Sequence, residues 1–390
     1  MKELNITIST NHLMECIEAV YYRSGIVTHF SSVKEIIASD ENSAAFIREV
    51  LDDESFSALE HENPLFEFAK SRAQHSVLTF FIGLVFLDFC DFRREIANTV
   101  LNSYNEKDVI SLWMLTALYH DWGYHSNDLT KMDLDFRKII KYDLLTDDYK
   151  EESWLQILQD FSRLHPHILA YTYDEIKNYD RYARSYHAKY PNDTEKVDHG
   201  ILGGMKIFDR LVKRIGVEVS KDVITSSTQK RLLCIKIACL TIAQHNIFKS
   251  SSVENDKNYG IDLRKLHSTS DFKISMDTPL LLLLSLVDTF ECIKRFGQAK
   301  NESKYLQKNT ILESITLGVS PQIITIDYSN LSDKIQKKDT NLHECFTKYI
   351  NGLYNIGTWT SFSCKQGHDG IVTINLNKAP LQDAFSNSPH

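Results

Sequence analysis

Six side chains of this sequence could hold metal ions: His75, the adjacent His120 and Asp121, His199, His245 and Asp288, each in or at the end of an apolar segment. Neutral imidazoles and carboxylates are ligands for divalent cations, and both are costly to bury without a partner. In chain order they read histidine, histidine-aspartate, histidine, histidine, aspartate, as expected of a two-metal site assembled from several helices. A single histidine among the 15 of the chain is more often a surface residue or a hydrogen-bonded core residue than a ligand. The chain supplies a control in His368-Asp369, a second pair of the same letters, which glycines flank in a candidate hairpin loop and which therefore reads as a turn. His120-Asp121 instead ends the apolar run LWMLTALY, His245 ends CIKIACLTIAQ, and His199 stands just before ILGGMKIF. A buried carboxylate with no compensation loses its charge, so Asp121 and Asp288 each call for a cation or a strong hydrogen-bond partner. The competing partners would be arginines such as Arg72 and Arg295.

The elements that must position these residues are mostly helical. Residues 1–63 read as a helical segment packed on the core, with patches at Val33 to Ala38 and Ser43 to Leu51. Phe66 to Phe89 and Ile110 to Tyr119 read as central helices; in the second, Leu112, Leu115 and Tyr119 fall at helical spacing and Gly123 offers a stop. Residues 126–197 form a polar, tyrosine-bearing insertion, followed by core helices at Ile201 to Leu211 and Leu232 to Ala243. The polar stretch Ser250 to Ser275 reads as a loop between two candidate ligands that could close over them. A helix over Pro279 to Phe296 opens on Pro, where a missing N–H costs nothing, with Asp277 or Thr278 available as a cap. Beyond residue 309 the period changes: Ile311 to Leu317, Ile323 to Ile326, Thr360 to Cys364 and Ile371 to Leu376 read as strands around a helix at Leu342 to Leu353. The expected architecture is mainly α, with a metal-binding helical domain over 64–309 and a small C-terminal α/β unit, ββαββ, over 310–390.

Composition narrows the function classes. Hydrophobic residues at 43% and charged residues at 25% are ordinary for a globular protein, and only 14 Gly and 7 Pro leave few interruptions to helices. A net charge of -8 argues against general binding to a nucleic-acid backbone, which needs clustered Lys and Arg. The 7 cysteines form no CxxC pair and the start MKELNITIST lacks the regions of a signal peptide, so reduced thiols in the cytoplasm are expected. The apolar runs Phe80 to Phe89 and Leu280 to Val287 are too short to cross a bilayer and read as core helices, so no membrane association is expected. A homo-oligomer could form through the β-rich tail.

The sequence resembles the HD-domain superfamily of metal-dependent phosphohydrolases. The matching pieces are SRAQHS around His75, LYHDWGYH around His120 and Asp121, VDHGILGG around His199, AQHN around His245 and LLLSLVDTFECIKR around Asp288, ordered from Arg72 to Arg295. The resemblance implies an HD-type helical bundle in which His75, His120, Asp121 and Asp288 hold one metal, and Asp121 bridges to a second held by His199 and His245. The chain departs from several subfamilies after the HD pair, where it has Trp122, Gly123, Tyr124 and His125, and it carries neither the GYP signature of the cyclic-dinucleotide enzymes nor the full triphosphohydrolase pattern.

Two metals about 3.5–4 Å apart would turn a bridging water into hydroxide near neutral pH for in-line attack on phosphorus. The expected activity is hydrolysis of a nucleotide-type phosphate ester or anhydride. A branch of the same superfamily uses such a ligand set for di-iron oxygenation, and a non-catalytic nucleotide sensor is the third alternative. Imidazole-rich ligation leans toward transition metals rather than Mg, with Fe or Mn expected first and Mg, Co and Zn as the other candidates. Asp121, Arg72 and His125 are the candidate catalytic residues; Arg72, Arg295 and Tyr124 are the candidate substrate contacts. Arg72 lies one helical turn before His75, from which it could reach a substrate phosphate or a ligating carboxylate.

Overall fold

Helix α4 (Pro64–Phe89) is buried in the protein interior from Ala73 to Leu87, a mostly apolar stretch. The computed structural model describes residues 11–51, 64–90, 92–99, 106–123, 279–291, 312–320, 323–330, 363–366 and 371–375, with positions 200, 203, 204, 207, 234, 235, 237–239, 241, 242 and 245. These residues are mainly helical, with one antiparallel sheet. The chain divides into two units, the first comprising Met1–Asp52, Lys70–Trp113 and Asp277–His390, the second Asp53–Ala69 and Met114–Met276.

The core of the first unit gathers around α4. Tyr21 of α1 (Leu13–Ser24) meets Phe81 edge-on at 5.6 Å between ring centroids, and Phe46 of α3 (Asp40–Leu51) lies 5.3 Å from the same ring. Phe80, Phe81 and Phe86 are fully buried, and each such burial contributes about 1.5–3 kcal/mol. Gly25 ends α1 with φ 69°, a left-handed turn that glycine adopts without a Cβ penalty. The short α2 (Val33–Ile36) is capped twice, because the Ser32 hydroxyl accepts from the Glu35 N–H at 3.2 Å and the Glu18 carboxylate accepts from the Val33 and Lys34 N–H groups. Next along the chain are α5 (Phe92–Thr99) and α6 (Glu106–Tyr119). Trp113 of α6 seats its indole against Gly83, where a Cβ would stand only 1.9 Å from a ring carbon, and its Nε1–H donates to the Phe80 carbonyl at 2.9 Å. Helix α7 (Pro279–Phe290) is buried along almost its whole length, and Phe290 packs 5.9 Å from Phe86 and 6.5 Å from Tyr328.

The sheet belongs to the same unit and runs β1-β2-β3-β5-β4. Its strands are β1 (Asn11–His12), β2 (Thr316–Val319), β3 (Ile323–Asp327), β4 (Ser363–Gln366) and β5 (Ile371–Asn375). Alternation puts Leu317, Val319, Ile324, Ile326, Val372 and Ile374 on the buried face. Two features differ from the sequence expectation. A fifth strand, β1, comes from the other end of the chain, and β2 starts at Thr316 because Leu312 to Ser314 turn the chain first, with the Ile315 N–H donating to the Leu312 carbonyl at 3.4 Å. The β4–β5 pair brackets the predicted hairpin, with Gln366 opposite Val372; His368-Asp369 itself lies outside the described residues, as do the 126–197 insertion, the Ser250 to Ser275 loop and the Leu342 to Leu353 helix.

In the second unit, α6 continues to Tyr119, and His120 and Asp121 follow directly in a turn. The described residues of 200–207 and 234–242 are helical, and Ile207, Ile235, Ala238, Cys239 and Ile242 are buried. Gly203 lies so near Gly123 that a Cβ would stand 2.9 Å from its backbone nitrogen, which makes glycine a packing requirement there. Among the described residues no single helix is long and apolar enough to cross a membrane.

Candidate metal-binding residues

Five of the six predicted ligands, His75, His120, Asp121, His245 and Asp288, are described, and all five are buried. Buried histidines and aspartates in such groups could hold a metal ion. His199, Tyr124, His125 and Arg295 lie outside the described residues, and of Arg72 only its backbone place on α4 is described.

In the second unit, His120 and His245 are oriented by the same device. Each lies just past an apolar helical run and places its Nδ1 against the carbonyl three residues earlier, Ala117 at 2.8 Å and Ile242 at 2.6 Å. A carbonyl only accepts, so Nδ1 carries the proton, and in the neutral ring Nε2 keeps a lone pair for a metal. The two Nε2 atoms lie 3.5 and 3.9 Å from Oδ1 of Asp121, longer than charge-assisted hydrogen bonds. Two ligands each about 2.1 Å from one ion at the tetrahedral angle stand about 3.4 Å apart, so this spacing suits atoms that share a cation.

In the first unit, His75 of α4 is held between two acidic residues at the end of α7. Its Nε2 lies 3.0 Å from Oδ1 of Asp288 and its Nδ1 2.8 Å from Oε2 of Glu291. The three side chains are buried. Two buried carboxylates facing one imidazole form an acidic donor set that a divalent cation would neutralise. The donor set of both units therefore fits a divalent metal.

Glu291 is the functional candidate that the sequence reading missed. Its signal was positional: it stands one helical turn after Asp288, still within the apolar segment, where an acidic residue has no solvent to face.

Compared with known proteins, the chain matches no family model, no curated protein and no solved structure.

Proposed function

We propose that the chain is a metal-dependent phosphohydrolase acting on a nucleotide-type phosphate ester or anhydride, with His75, His120, Asp121, His199, His245 and Asp288 holding two divalent ions, Fe or Mn in first place. The observation that carries the reading is the shared treatment of the three described histidines among the candidate ligands. Each fixes its Nδ1 on a built-in acceptor and directs Nε2 toward an aspartate. Structural histidines need no such common orientation, whereas metal ligands depend on it.

When bound, divalent ions supply an acidified water and neutralise charge on phosphorus oxygens. The chain's own residues do the rest. Burial excludes bulk water from Asp121 and Asp288, and the backbone carbonyls of Ala117 and Ile242 hold His120 and His245 in the ligating tautomer. Arg72 and Arg295 are the proposed phosphate contacts, Tyr124 a further substrate contact and His125 the proposed proton-transfer group. A cytoplasmic setting belongs to the same proposal.

The test is hydrolysis of mono-, tri- and cyclic nucleotides by protein loaded with Mn(II) under anaerobic conditions. Activity that disappears on chelation and in Asp121→Ala is expected. Turnover that requires dioxygen would replace the hydrolase reading with oxygenase chemistry, and nucleotide binding by protein that takes up no metal would replace it with a sensor.

A further inference from the structure

We infer that Glu291 is a positioning residue for the metal ligand His75, an inference that rests on the metal reading above. The geometry is a carboxylate–imidazole–carboxylate line. Glu291 Oε2 accepts from His75 Nδ1 at 2.8 Å, while His75 Nε2 lies 3.0 Å from Asp288, itself a proposed ligand. Asp288 lies in the last turn of α7 and Glu291 directly follows the helix, its N–H donating to the Val287 carbonyl at 2.8 Å, so one short stretch supplies both a candidate ligand and the partner of a ligand on another helix.

The three described histidines among the candidate ligands are not treated alike in one respect. His120 and His245 use neutral carbonyls of their own helical runs, which come with the backbone and need no dedicated side chain. His75 sits in the middle of α4, where the carbonyls of the preceding turns are engaged in the helix, so its Nδ1 must find a partner from elsewhere. A charged partner does more than fix the tautomer: it raises the basicity of the ring and strengthens its bond to a cation. Glu291 is almost fully buried, a costly place for a carboxylate used only to pad a core.

Mn(II) binding to the full chain, titrated by electron paramagnetic resonance against a competing chelator, tests the assignment. Glu291→Gln keeps an acceptor for Nδ1–H without the charge, and Glu291→Ala removes both. One Mn(II) site should weaken by about 10–100-fold in Glu291→Ala and by a smaller, measurable factor in Glu291→Gln, while the other keeps its affinity. Wild-type affinity at both sites in a folded Glu291→Gln protein would overturn the inference, as would equal weakening of both sites that tracks lost thermal stability. If Glu291→Ala does not fold, Glu291→Gln decides alone. Wild-type protein that binds no Mn(II) would sink the metal reading itself, whereas wild-type loading with unaltered variants would sink only the role of Glu291.

Discussion

The rings of His120 and His245 meet nearly at right angles, with centroids 5.3 Å apart and an interplanar angle of 83°, and both direct Nε2 to the same oxygen of Asp121. The two nitrogens thus converge on one carboxylate from different directions, which leaves Asp121 placed to share a cation with either ring.

Asp121→Asn keeps the size of this residue and removes the charge. Metal affinity should fall by more than the roughly 10–100-fold typical of losing an outer partner, and the proposed phosphohydrolase activity should be absent from the variant. Metal analysis and a nucleotide hydrolysis assay on the same preparation check both.

Gly203→Ala probes the backbone beside the HD pair. The added methyl would stand 2.9 Å from the Gly123 nitrogen, so either the helical segment or the turn after Asp121 must shift. Overpacking of this kind costs about 1–3 kcal/mol. Metal affinity is expected to fall along with the melting temperature, whereas a variant that melts lower but binds metal normally would show that the strain is absorbed away from Asp121.

Gly83→Ala tests packing far from chemistry. A Cβ 1.9 Å from the Trp113 ring cannot be accommodated without displacing the indole and its hydrogen bond to Phe80. Destabilisation by about 1–3 kcal/mol or more is expected in urea unfolding, with altered Trp fluorescence before the transition.

Alkaline pH should act through Cys16, whose thiol burial pushes up from 9.0 to about 11. The folded state disfavours the thiolate, so this contribution to stability is complete below pH 9 and is lost as pH rises towards 11. Cys239, fully buried, shifts in the same direction. Both thiols should resist a thiol reagent at pH 8 in the native protein and react once it is unfolded; rapid native labelling would contradict the burial.

Much of this was legible in the sequence because the ligands interrupt apolar runs. The leucines before Asp121 and Asp288 predict that both are buried, and they are; α4 falls on its long apolar stretch, and α6 covers the segment whose helical spacing predicts it. Glu291 escaped because its partner, His75, is on another helix, a pairing that no local pattern carries. The strand at Asn11–His12 escaped for a related reason. Two residues carry no alternation, and what makes them a strand is a partner in the sequence-distant segment Thr316 to Leu317.

That partner has a consequence for how the protein can be made and cut. Asn11 aligns with Leu317, and the Leu13 N–H donates to the Ile315 carbonyl at 2.9 Å, so one rim of the sheet is closed by the sequence-distant strand β1. On the ribosome Asn11 and His12 cannot dock until Thr316 and Leu317 have been made, a slow, long-range closure. A C-terminal fragment expressed alone would carry β2 with an open row of amide and carbonyl groups, an invitation to edge-to-edge association.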